Sequence, residues 1–384
     1  MGIKRLGILT GGGDVPGLNT VIHDVTIRAE QESIDVVGIR RGWGGLIYMD
    51  PDGKSDDSDH IIKLDRLRVR TIDRTGGTIL RTSRTNPIQV YHNADLEKYR
   101  GMKLDQKTDM TEDVLKNLDR LGIDALIAIG GDDTLSFAVH LKNKGIKVIG
   151  VPKTMDNDVN GTEYCIGFSS AISKSLVLIN DLRTPMGSHE RFGVIELFGR
   201  NAGFTALYAA YVSRGERVLI PEFDFDPDHL VEILAADKIK NPSNYAIVLV
   251  SEGAKPVGGK IFEGGKKDQY GHKKLGGIGF QVADFIAERT GYHTIVQRLG
   301  YFMRSGSPDA VDKMVSGFFG NMAFDSLMNG DFGSMAAIVD GKYDMVPLEL
   351  VTSAKRVVNI EKYYHTVRYR PRYSNMRGLP LFLN

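Results

Sequence analysis

The sequence predicts an α/β protein with mostly parallel sheets, divided into two units. Short apolar runs rich in β-branched residues recur along the chain, and amphipathic segments of about a dozen residues separate several of them. This alternation is typical of parallel strands joined by crossover helices. Glycine or charged residues follow most of the apolar runs. At 384 residues the chain is also long enough for two domains of ordinary size.

The first unit is predicted over residues 1–165. Its predicted elements are, in order, a strand at residues 6–9, a helix ending near Gln31, a strand at residues 36–40, a strand at residues 125–129, a helix at residues 135–145 and a strand at residues 148–151. Residues 41–46 are predicted to be a loop. The acid-rich residues 51–60 are predicted to be a solvated loop, because they lack the ligand spacing of a calcium site.

The second unit is predicted over residues 166–304. Its predicted elements are, in order, a helix from near Phe168, strands at residues 194–197, 218–220 and 246–250, and a helix ending near Arg289. The Gly- and Lys-rich residues 257–279 are predicted to form a mobile loop. We expect residues 305–340, with a helix ending near Leu327, to return to the first unit. Residues 341–384 are expected to be a packed C-terminal extension.

Composition narrows the possible partners. Forty-nine Lys and Arg residues against 48 Asp and Glu residues give a net charge of +1, so no global field favours nucleic acid or an anionic membrane. No apolar stretch approaches the ~20 residues of a membrane span. The single cysteine, Cys165, excludes an intrachain disulfide, and the N-terminus does not resemble a secretory signal. We therefore expect a cytoplasmic protein with a small-molecule partner.

Residues 125–158 contain two polar clusters, each at the end of a predicted strand. Gly130-Gly131-Asp132-Asp133-Thr134 follows the first strand, and Pro152-Lys153-Thr154-Met155-Asp156-Asn157-Asp158 follows the next. Neighbouring parallel strands bring such clusters together at their carboxyl ends, where open α/β sheets bind ligands. Glycines and a helix N-terminus suit phosphate, and the acids beside it require a divalent cation. The clusters predict a phosphate and magnesium site, although the first alone is also common turn chemistry.

Two further segments suit an anion. Three successive glycines begin at Gly11 and allow backbone N–H groups to approach a phosphate, but their spacing is neither dinucleotide-binding nor Walker-type. Residues 75–87 place Arg84 among hydroxyl side chains, and a guanidinium offers forked donors to phosphate. Alternatively, the glycines form only a tight turn, and Arg84 is only a surface residue.

Seven motifs along the chain resemble those of the 6-phosphofructokinases, and they occur in family order across residues 1–330. They are Gly-Gly-Gly-Asp-x-Pro-Gly-Leu-Asn at 11–19, Gly-Gly-Asp-Asp-Thr at 130–134, Pro-Lys-Thr-Met-Asp-Asn-Asp at 152–158, His-Glu-Arg at 189–191, Phe-Gly-Arg at 198–200, Glu-Gly at 252–253 and Leu-Gly-Tyr-Phe-Met-Arg at 299–304. The resemblance implies two similar Rossmann-like three-layer domains, the phosphofructokinase fold, with the site between them. It also implies Mg²⁺-dependent phosphoryl transfer to the 1-hydroxyl of fructose 6-phosphate.

The resemblance also implies roles for individual residues. Asp156 is expected to be the general base and Asp132 the magnesium ligand, while Gly12, Arg84 and Lys153 are expected to bind diphosphate. Catalytic roles are expected for Asp156, Lys153, Asp133, Arg84 and Arg200. Fructose 6-phosphate contacts are expected from Thr154, Met155, Asp156, Arg191, Phe198, Gly199, Arg200, Glu252, Arg298, Tyr301 and Arg304. Arg191 is expected to reach a neighbouring subunit's site, which implies a homodimer or homotetramer.

Asp133 and Lys153 indicate the phosphoryl donor. Family members that use ATP typically carry Gly-Gly-Asp-Gly-Ser and Pro-Gly-Thr at these places, whereas those that use diphosphate carry Gly-Gly-Asp-Asp and Pro-Lys-Thr. The physics agrees, because Asp133 adds volume and negative charge where a glycine would leave room for the α-phosphate of ATP. One like-charge contact at about 4 Å costs ~4 kcal/mol at an effective dielectric of about 20. The sequence therefore predicts diphosphate as the donor.

Some positions depart from the family pattern. Arg81 replaces a usual glycine, and His23 stands where regulated ATP enzymes carry an effector-binding arginine. Ile295 stands where the family carries a substrate-binding arginine. Arg298 is a weak replacement for that arginine, because residues three positions apart in a strand point to opposite faces of the sheet.

Three alternatives stay open. The first is an ATP-dependent phosphofructokinase, and the second is a catalytically silent regulatory subunit, which retention of Asp132, Asp156 and Arg200 disfavours. The third is an NAD kinase, whose fold also uses a Gly-Gly-Asp-Gly turn. That assignment would give residues 153–158 no role.

Overall fold

The computed structural model describes residues 2–91, 107–259, 263–267, 273–375 and 377–378. This part of the chain is built around two mostly parallel sheets. The strands are β1 (Arg5–Thr10), β2 (Asp35–Ile39), β3 (Ile61–Leu64), β4 (Val90–Tyr91), β5 (Lys107–Thr108), β6 (Ala125–Gly130), β7 (Val148–Pro152), β8 (Phe192–Leu197), β9 (Arg217–Leu219), β10 (Ala246–Ser251), β11 (Glu263–Lys267), β12 (Lys273–Leu275), β13 (Thr294–Arg298), β14 (Ser334–Val339), β15 (Lys342–Pro347), β16 (Tyr364–His365) and β17 (Arg370–Pro371).

Helices connect these strands and cover the sheets. The α-helices are α1 (Leu18–Gln31), α2 (Trp43–Tyr48), α3 (Arg66–Val69), α4 (Thr111–Arg120), α5 (Asp132–Asn143), α6 (Phe168–Ser188), α7 (Phe204–Ser213), α8 (Pro227–Lys240), α9 (Ile278–Thr290), α10 (Ala310–Asn329), α11 (Leu350–Ser353) and α12 (Ile360–Tyr363). A 3₁₀ helix covers Gly300–Arg304. The α/β class predicted from the alternating pattern is confirmed.

The first sheet has the strand order β15-β14-β7-β6-β1-β2-β3. Its inner strands pair in parallel, while β3 and β15 pair antiparallel at its two edges. Every residue of β6 and β7 is buried. Since both faces of these strands are covered, continuous apolar runs rather than alternating patterns encode them, as the sequence predicted.

The second sheet has the order β13-β8-β10-β9 and is entirely parallel. Its three predicted strands, at residues 194–197, 218–220 and 246–250, correspond to β8, β9 and β10. A large cluster of buried apolar side chains joins the two sheets, with Ile8 and Val194 among its members. The two units therefore share packed core between them.

Three local predictions need correction. Residues 41–46 were predicted to be a loop, but α2 begins at Trp43, because the indole is buried and donates from Nε1 to the Thr134 carbonyl at 3.2 Å. The helix predicted from residue 135 begins at Asp132, so two acids occupy its first turn. Within the predicted mobile loop, β11 and β12 pair as an antiparallel hairpin. Residues 260–262 and 268–272 of that loop lie outside the described residues.

The C-terminal segment adds a strand to the first sheet and packs against the second. Strand β15 lies within residues 341–384, the predicted extension, but it is an edge strand of the first sheet. The domain boundaries themselves stay a prediction. Farther on, Tyr363, Tyr364 and Tyr369 are buried, and the Tyr364 hydroxyl donates to the Val218 carbonyl at 2.8 Å. These tail residues therefore pack against the second sheet. None of the described helices is long and apolar enough to cross a membrane.

A buried carboxylate ties α10 to the start of α6. Asp312 is fully buried and accepts hydrogen bonds from the Tyr164 hydroxyl at 2.6 Å and from the backbone N–H groups of Gly167 at 2.8 Å and Ser170 at 2.7 Å. Burial raises the pKa of Asp312 to about 6. The three donors compensate for this desolvation, so the carboxylate joins helices that are far apart in sequence.

We predict that Asp312→Asn destabilises the protein by about 3 kcal/mol, because an amide N–H would face a backbone N–H donor in a dry site. Thermal unfolding should show a melting temperature lower by roughly 4–8 °C. Asp325→Asn is the matched control on the same helix, since the Asp325 side chain is 55% exposed and pairs only at the surface with Arg28. Equal melting temperatures for Asp312→Asn and the control would contradict this role.

Candidate active site

The carboxyl ends of strands from both sheets face one cavity of about 950 Å³. Turns that follow β1, β6 and β7 line it from the first sheet, and the ends of β8, β10 and β13 line it from the second. Carboxyl ends of parallel strands are where α/β sheets bind ligands, because helix N-termini and irregular turns converge there. The cavity therefore lies at the strand ends that carry the quoted polar clusters.

Most of the predicted site residues line this cavity. They are Gly12, Arg84, Asp132, Asp133, Lys153, Thr154, Met155, Asp156, Phe198, Arg200, Glu252, Arg298, Tyr301 and Arg304. Segments as far apart in sequence as Gly12 and Arg304 thus meet at one place, although the role of each side chain stays a prediction.

Two predicted residues do not line the cavity. Arg191 precedes the first residue of β8, whereas Glu196 and Leu197 of that strand reach the cavity, so Arg191 lies at the opposite edge of the sheet. Gly199 lies directly behind the cavity wall with a φ of +134°, and a β-carbon there would approach Ser251 Oγ to 2.2 Å. Gly199 therefore shapes the turn between its neighbours, and Arg191 does not reach the cavity of its own chain.

Several lining residues were absent from the predicted site. They include Asp14, Asp158, Glu196, Asn201, Phe302 and Lys355. Asp14 and Asp158 belong to motifs that the sequence analysis quoted, so their positions in those motifs were a usable signal. Lys355 belongs to no motif and reaches the cavity only through the fold of the C-terminal segment.

The glycine-rich turn after β1 packs directly on Lys153. Gly12 has a φ of +79°, and a β-carbon there would lie 3.2 Å from Lys153 Nζ. The ammonium donates to the Gly13 carbonyl at 2.6 Å, and only 3% of Lys153 is exposed. Burial, with the nearby charges of Arg304 and Arg84, lowers the pKa of Lys153 to about 7. An anion bound here would restore its full charge.

Partly buried acids form the other half of the site. Burial raises the pKa of Asp132 to about 7, and the charges of Asp158 and Asp133 add to the shift. Burial likewise raises the pKa of Asp156 well above its ordinary value, with Asp158 and Glu252 contributing. Within the described residues, Oδ1 of Asp132 and Oδ1 of Asp156 have no hydrogen-bond partner. Such orphaned acceptors in a cavity are positioned for a cation or a hydroxyl group.

The turn that carries these acids is held by its own polar side chains. Asn157 has a φ of +55°, and its Nδ2 donates to the Glu163 carbonyl at 3.0 Å. Its Oδ1 accepts from the backbone N–H of Cys165 at 2.8 Å. The backbone N–H of Asp156 donates to Thr154 Oγ1 at 3.2 Å. Because Asn tolerates the left-handed region and completes these bonds, it can fix the turn between Asp156 and Asp158.

Arginines from the second half of the chain face the acids. Arg304 pairs with Asp14 at 2.6 Å, and Arg298 Nε lies 2.7 Å from Glu196 Oε1. Arg298 is the last residue of β13 and lines the cavity, whereas Ile295 does not. The placement of Arg298 thus fits its predicted use in place of Ile295, despite the opposite parity, because a strand's final residue can turn towards the sheet edge.

The aromatic and acidic residues nearby complete this wall. Phe198 and Tyr301 pack edge to face with ring centroids 6.0 Å apart. Burial raises the pKa of Glu252 to about 7, although the charge of Arg200 opposes the shift. A buried carboxyl beside arginines and aromatic rings is suited to hydroxyl and phosphate groups of a sugar phosphate.

The acids fit a magnesium ion that is held jointly with a phosphate. Among the described residues, no three His, Cys, Asp or Glu side chains gather closely enough to hold a metal on their own. Magnesium commonly needs only one or two carboxylates when substrate phosphates supply further oxygens. The orphaned Oδ1 of Asp132, on the first turn of α5, is the natural protein ligand for such an ion.

The unusual Arg81 has a backbone explanation. Its φ is +57°, in the left-handed region that favours glycine, and its N–H donates to the Thr78 carbonyl at 3.1 Å. The turn therefore keeps a glycine-like conformation at a cost of ~1 kcal/mol. Arg81 does not line the cavity, so the substitution leaves its wall intact.

Fold and site together define a two-sheet α/β protein built to hold phosphates. The model of one family, phosphofructokinase, matches residues 5–327. The chain belongs to the phosphofructokinase family.

The chain is similar both to proteins named for diphosphate as the phosphoryl donor and to proteins named for ATP. The pyrophosphate–fructose 6-phosphate 1-phosphotransferase of Amycolatopsis methanolica is 40% identical over 365 residues, covering 94% of this chain and 97% of that protein. An ATP-dependent 6-phosphofructokinase of Corynebacterium efficiens is 36% identical over 365 residues, covering 94% and 98%. A crystal structure of the pyrophosphate-dependent phosphofructokinase of Nitrosospira multiformis has the same fold, with a TM-score of 0.76 at 20% identity, covering 99% of this chain and 92% of that one.

We predict that Asp156→Asn raises the melting temperature of the ligand-free protein at about pH 8. The pKa of Asp156 is higher in the folded state than in the unfolded state. Its ionisation therefore costs folding stability, and that cost grows as the pH rises from about 4 through the folded-state pKa. An amide removes the cost, so the melting temperature should rise by roughly 1–4 °C. The same variant should lose a factor of roughly 10²–10⁴ in kcat.

At about pH 4 both proteins carry a neutral group at this position, so the gain in melting temperature should vanish there. A gain that is equal at both pH values would mean that packing, and not ionisation, sets the difference. A variant that retains half of its activity would show that another group takes the proton.

Proposed function

We propose that the protein catalyses the reversible, Mg²⁺-dependent transfer of a phosphoryl group from diphosphate to the 1-hydroxyl of fructose 6-phosphate. The products are fructose 1,6-bisphosphate and phosphate. The single observation that carries this proposal is the position of Lys153, buried under the Gly12–Gly13 turn and within one cavity with Asp133. The names of the relatives from Amycolatopsis methanolica and from Thermoproteus tenax, which is 35% identical over 356 residues, support it.

In this proposal Asp156 accepts the proton of the attacking hydroxyl. Its orphaned Oδ1 is the acceptor, and burial, with the charges of Asp158 and Glu252, raises the pKa of Asp156 and so makes its carboxylate a stronger base than an exposed one. The Asn157 side chain fixes the turn, so the carboxylate is held in place before substrate arrives. Positioning of this kind supplies much of the catalysis in phosphoryl transfer, because the protein takes no covalent part.

The second requirement of the reaction is that the negative charge of the transition state is stabilised. Bound magnesium would neutralise charge on the donor oxygens beside Asp132. Arg84 and Arg200 line the cavity on different segments and are the candidates to stabilise the transferring group from two sides. Lys153 is positioned to hold diphosphate and then the leaving phosphate, since its ammonium regains charge beside an anion.

ATP is the alternative donor, and the relative from Corynebacterium efficiens bears that name. Asp133 argues against it here. Its carboxylate lies in the first turn of α5, at the helix N-terminus where a further phosphate would otherwise be welcome. A negative side chain there repels that phosphate and occupies its space. Diphosphate, being shorter, has no third phosphate to place.

We predict that wild-type protein uses diphosphate at least about a hundredfold better than ATP in kcat/KM, a difference of ~2.7 kcal/mol. Lys153→Gly should sharply reduce diphosphate turnover, because a buried charge-assisted contact is lost. Asp133→Gly should admit some ATP, and the double variant should gain more ATP activity than the two single changes together predict. Residues that share one ligand are expected to couple.

The measurement is kcat/KM for both donors in wild type, each single variant and the double variant. Equal wild-type rates with ATP would refute the donor assignment. Intact diphosphate turnover in Lys153→Gly, or no rise in ATP use in any variant, would show that these two residues do not select the donor.

We also propose that the enzyme is a cytoplasmic homo-oligomer in which Arg191 completes the site of a neighbouring subunit. Arg191 lies at the edge of the second sheet opposite its own chain's cavity, which leaves it available to another copy. The lone Cys165 is fully buried, as suits a reduced compartment.

Mixing two inactive variants tests the shared site. Arg191→Ala and Asp156→Asn should each be inactive alone, and mixed subunits should regain partial activity after dissociation and reassembly. Each mixed dimer then holds one site with both lesions and one with neither. Two Asp156→Asn preparations mixed together are the control. Absence of recovery, with subunit exchange proven by differently tagged chains, would contradict a shared site.

A further inference from the structure

The C-terminal segment contributes a lysine to the wall of the active-site cavity. Lys355 follows α11 and lines the cavity together with Asp132 and Asp133. It lies outside residues 5–327, which the family model matches, and outside every motif that the sequence analysis used. None of the roles proposed above involves it.

Its neighbour Arg356 fixes this part of the segment against the catalytic turn. The Arg356 guanidinium donates from Nη1 to the Asn157 carbonyl and from Nη2 to the Glu163 carbonyl at 3.1 Å. It also lies over the Phe204 ring, 4.3 Å from the centroid. Because Arg356 is bonded on both sides of the turn, the backbone of Lys355 is held at the side of the cavity where Asp158 lies.

The charge of Lys355 acts on this acidic side. Lys355 carries its positive charge on the wall of the cavity that Asp132, Asp133 and Asp158 also line. Lys355 is exposed, and within the described residues it makes neither a hydrogen bond nor an ion pair. Arg304, by contrast, is paired with Asp14. Lys355 is thus a cation that lines the site and is hydrogen-bonded or ion-paired to none of the described residues.

We propose that Lys355 binds the diphosphate donor, and the phosphate product, at the side of the cavity formed by Asp132 and Asp133. This inference rests on the proposed function. Two phosphates beside the carboxylates of Asp132 and Asp133 bring like charges together on the wall that Lys355 shares. A flexible ammonium on that wall reduces this repulsion and can follow a phosphate as it leaves. The segment that ends the chain thereby becomes part of the donor site.

Steady-state kinetics of three variants test the proposal. Lys355→Met keeps the length of the side chain and removes its charge, whereas Lys355→Arg keeps the charge. Lys362→Met is the matched control, because Lys362 lies in α12 of the same segment, over the Tyr363 ring and outside the cavity. The variables are KM for diphosphate, KM for fructose 6-phosphate, kcat, and the inhibition constant of inorganic phosphate.

In Lys355→Met, KM for diphosphate and the inhibition constant of phosphate should both rise about tenfold, the value of one charge-assisted hydrogen bond. KM for fructose 6-phosphate and the melting temperature should stay unchanged. Lys355→Arg should recover most of the affinity for diphosphate, and Lys362→Met should behave as wild type. This split is not expected from a structural residue, whose loss would lower stability and affect both substrates.

Unchanged KM for diphosphate in Lys355→Met, while wild type turns diphosphate over, would overturn this inference and leave the proposed function standing. A parallel rise in KM for both substrates with a lower melting temperature would also overturn it, since it would assign Lys355 a structural role. Wild-type protein that uses ATP and not diphosphate would overturn both proposals.

Discussion

Burial of opposite charges in one cavity is the constraint on which the site depends. Asp156 and Asp132 are driven towards their neutral forms because water is largely excluded, and Lys153 is driven towards its neutral form for the same reason. The ligand-free site thus holds acids and a base that are poorly solvated and incompletely paired. Substrate phosphate and a divalent cation would supply the missing charges, so the strain of the free site becomes binding energy for the reacting groups.

Such a site needs a rigid frame, because carboxylates that repel one another would move apart if the turn were free. The frame is made by hydrogen bonds to backbone atoms. Asn157 closes the turn through Glu163 and Cys165, and Arg356 bonds the same turn from the C-terminal segment. The partners of Asn157 are uncharged carbonyl and N–H groups, so its side chain fixes the turn without adding a counter-charge beside the acids. The acids consequently keep their raised pKa values for use by substrate.

The sequence could predict what is local and periodic. Strands β6 and β7 are continuous apolar runs, and the polar clusters after them were placed correctly because neighbouring parallel strands must end at one edge. It could not predict α2, since its two glycines favour a loop and only the buried position of Trp43 favours a helix. Tertiary packing overrode local propensity there. Lys355 and Arg356 were also out of reach, because a lysine and an arginine in a basic tail have no spacing that marks a site.

The tail also links the stability of the second sheet to the geometry of the site. Glu222 accepts hydrogen bonds from the backbone N–H groups of Gly203, at the start of α7, and of Val358, two residues after Arg356. Farther along, the buried Tyr364 bonds the backbone of β9. These contacts hold the segment that carries the Arg356 guanidinium, although none of their residues lines the cavity. Through the Arg356 bonds to the Asn157 and Glu163 carbonyls, the C-terminal segment therefore braces the turn that carries Asp156, the residue we propose as the general base.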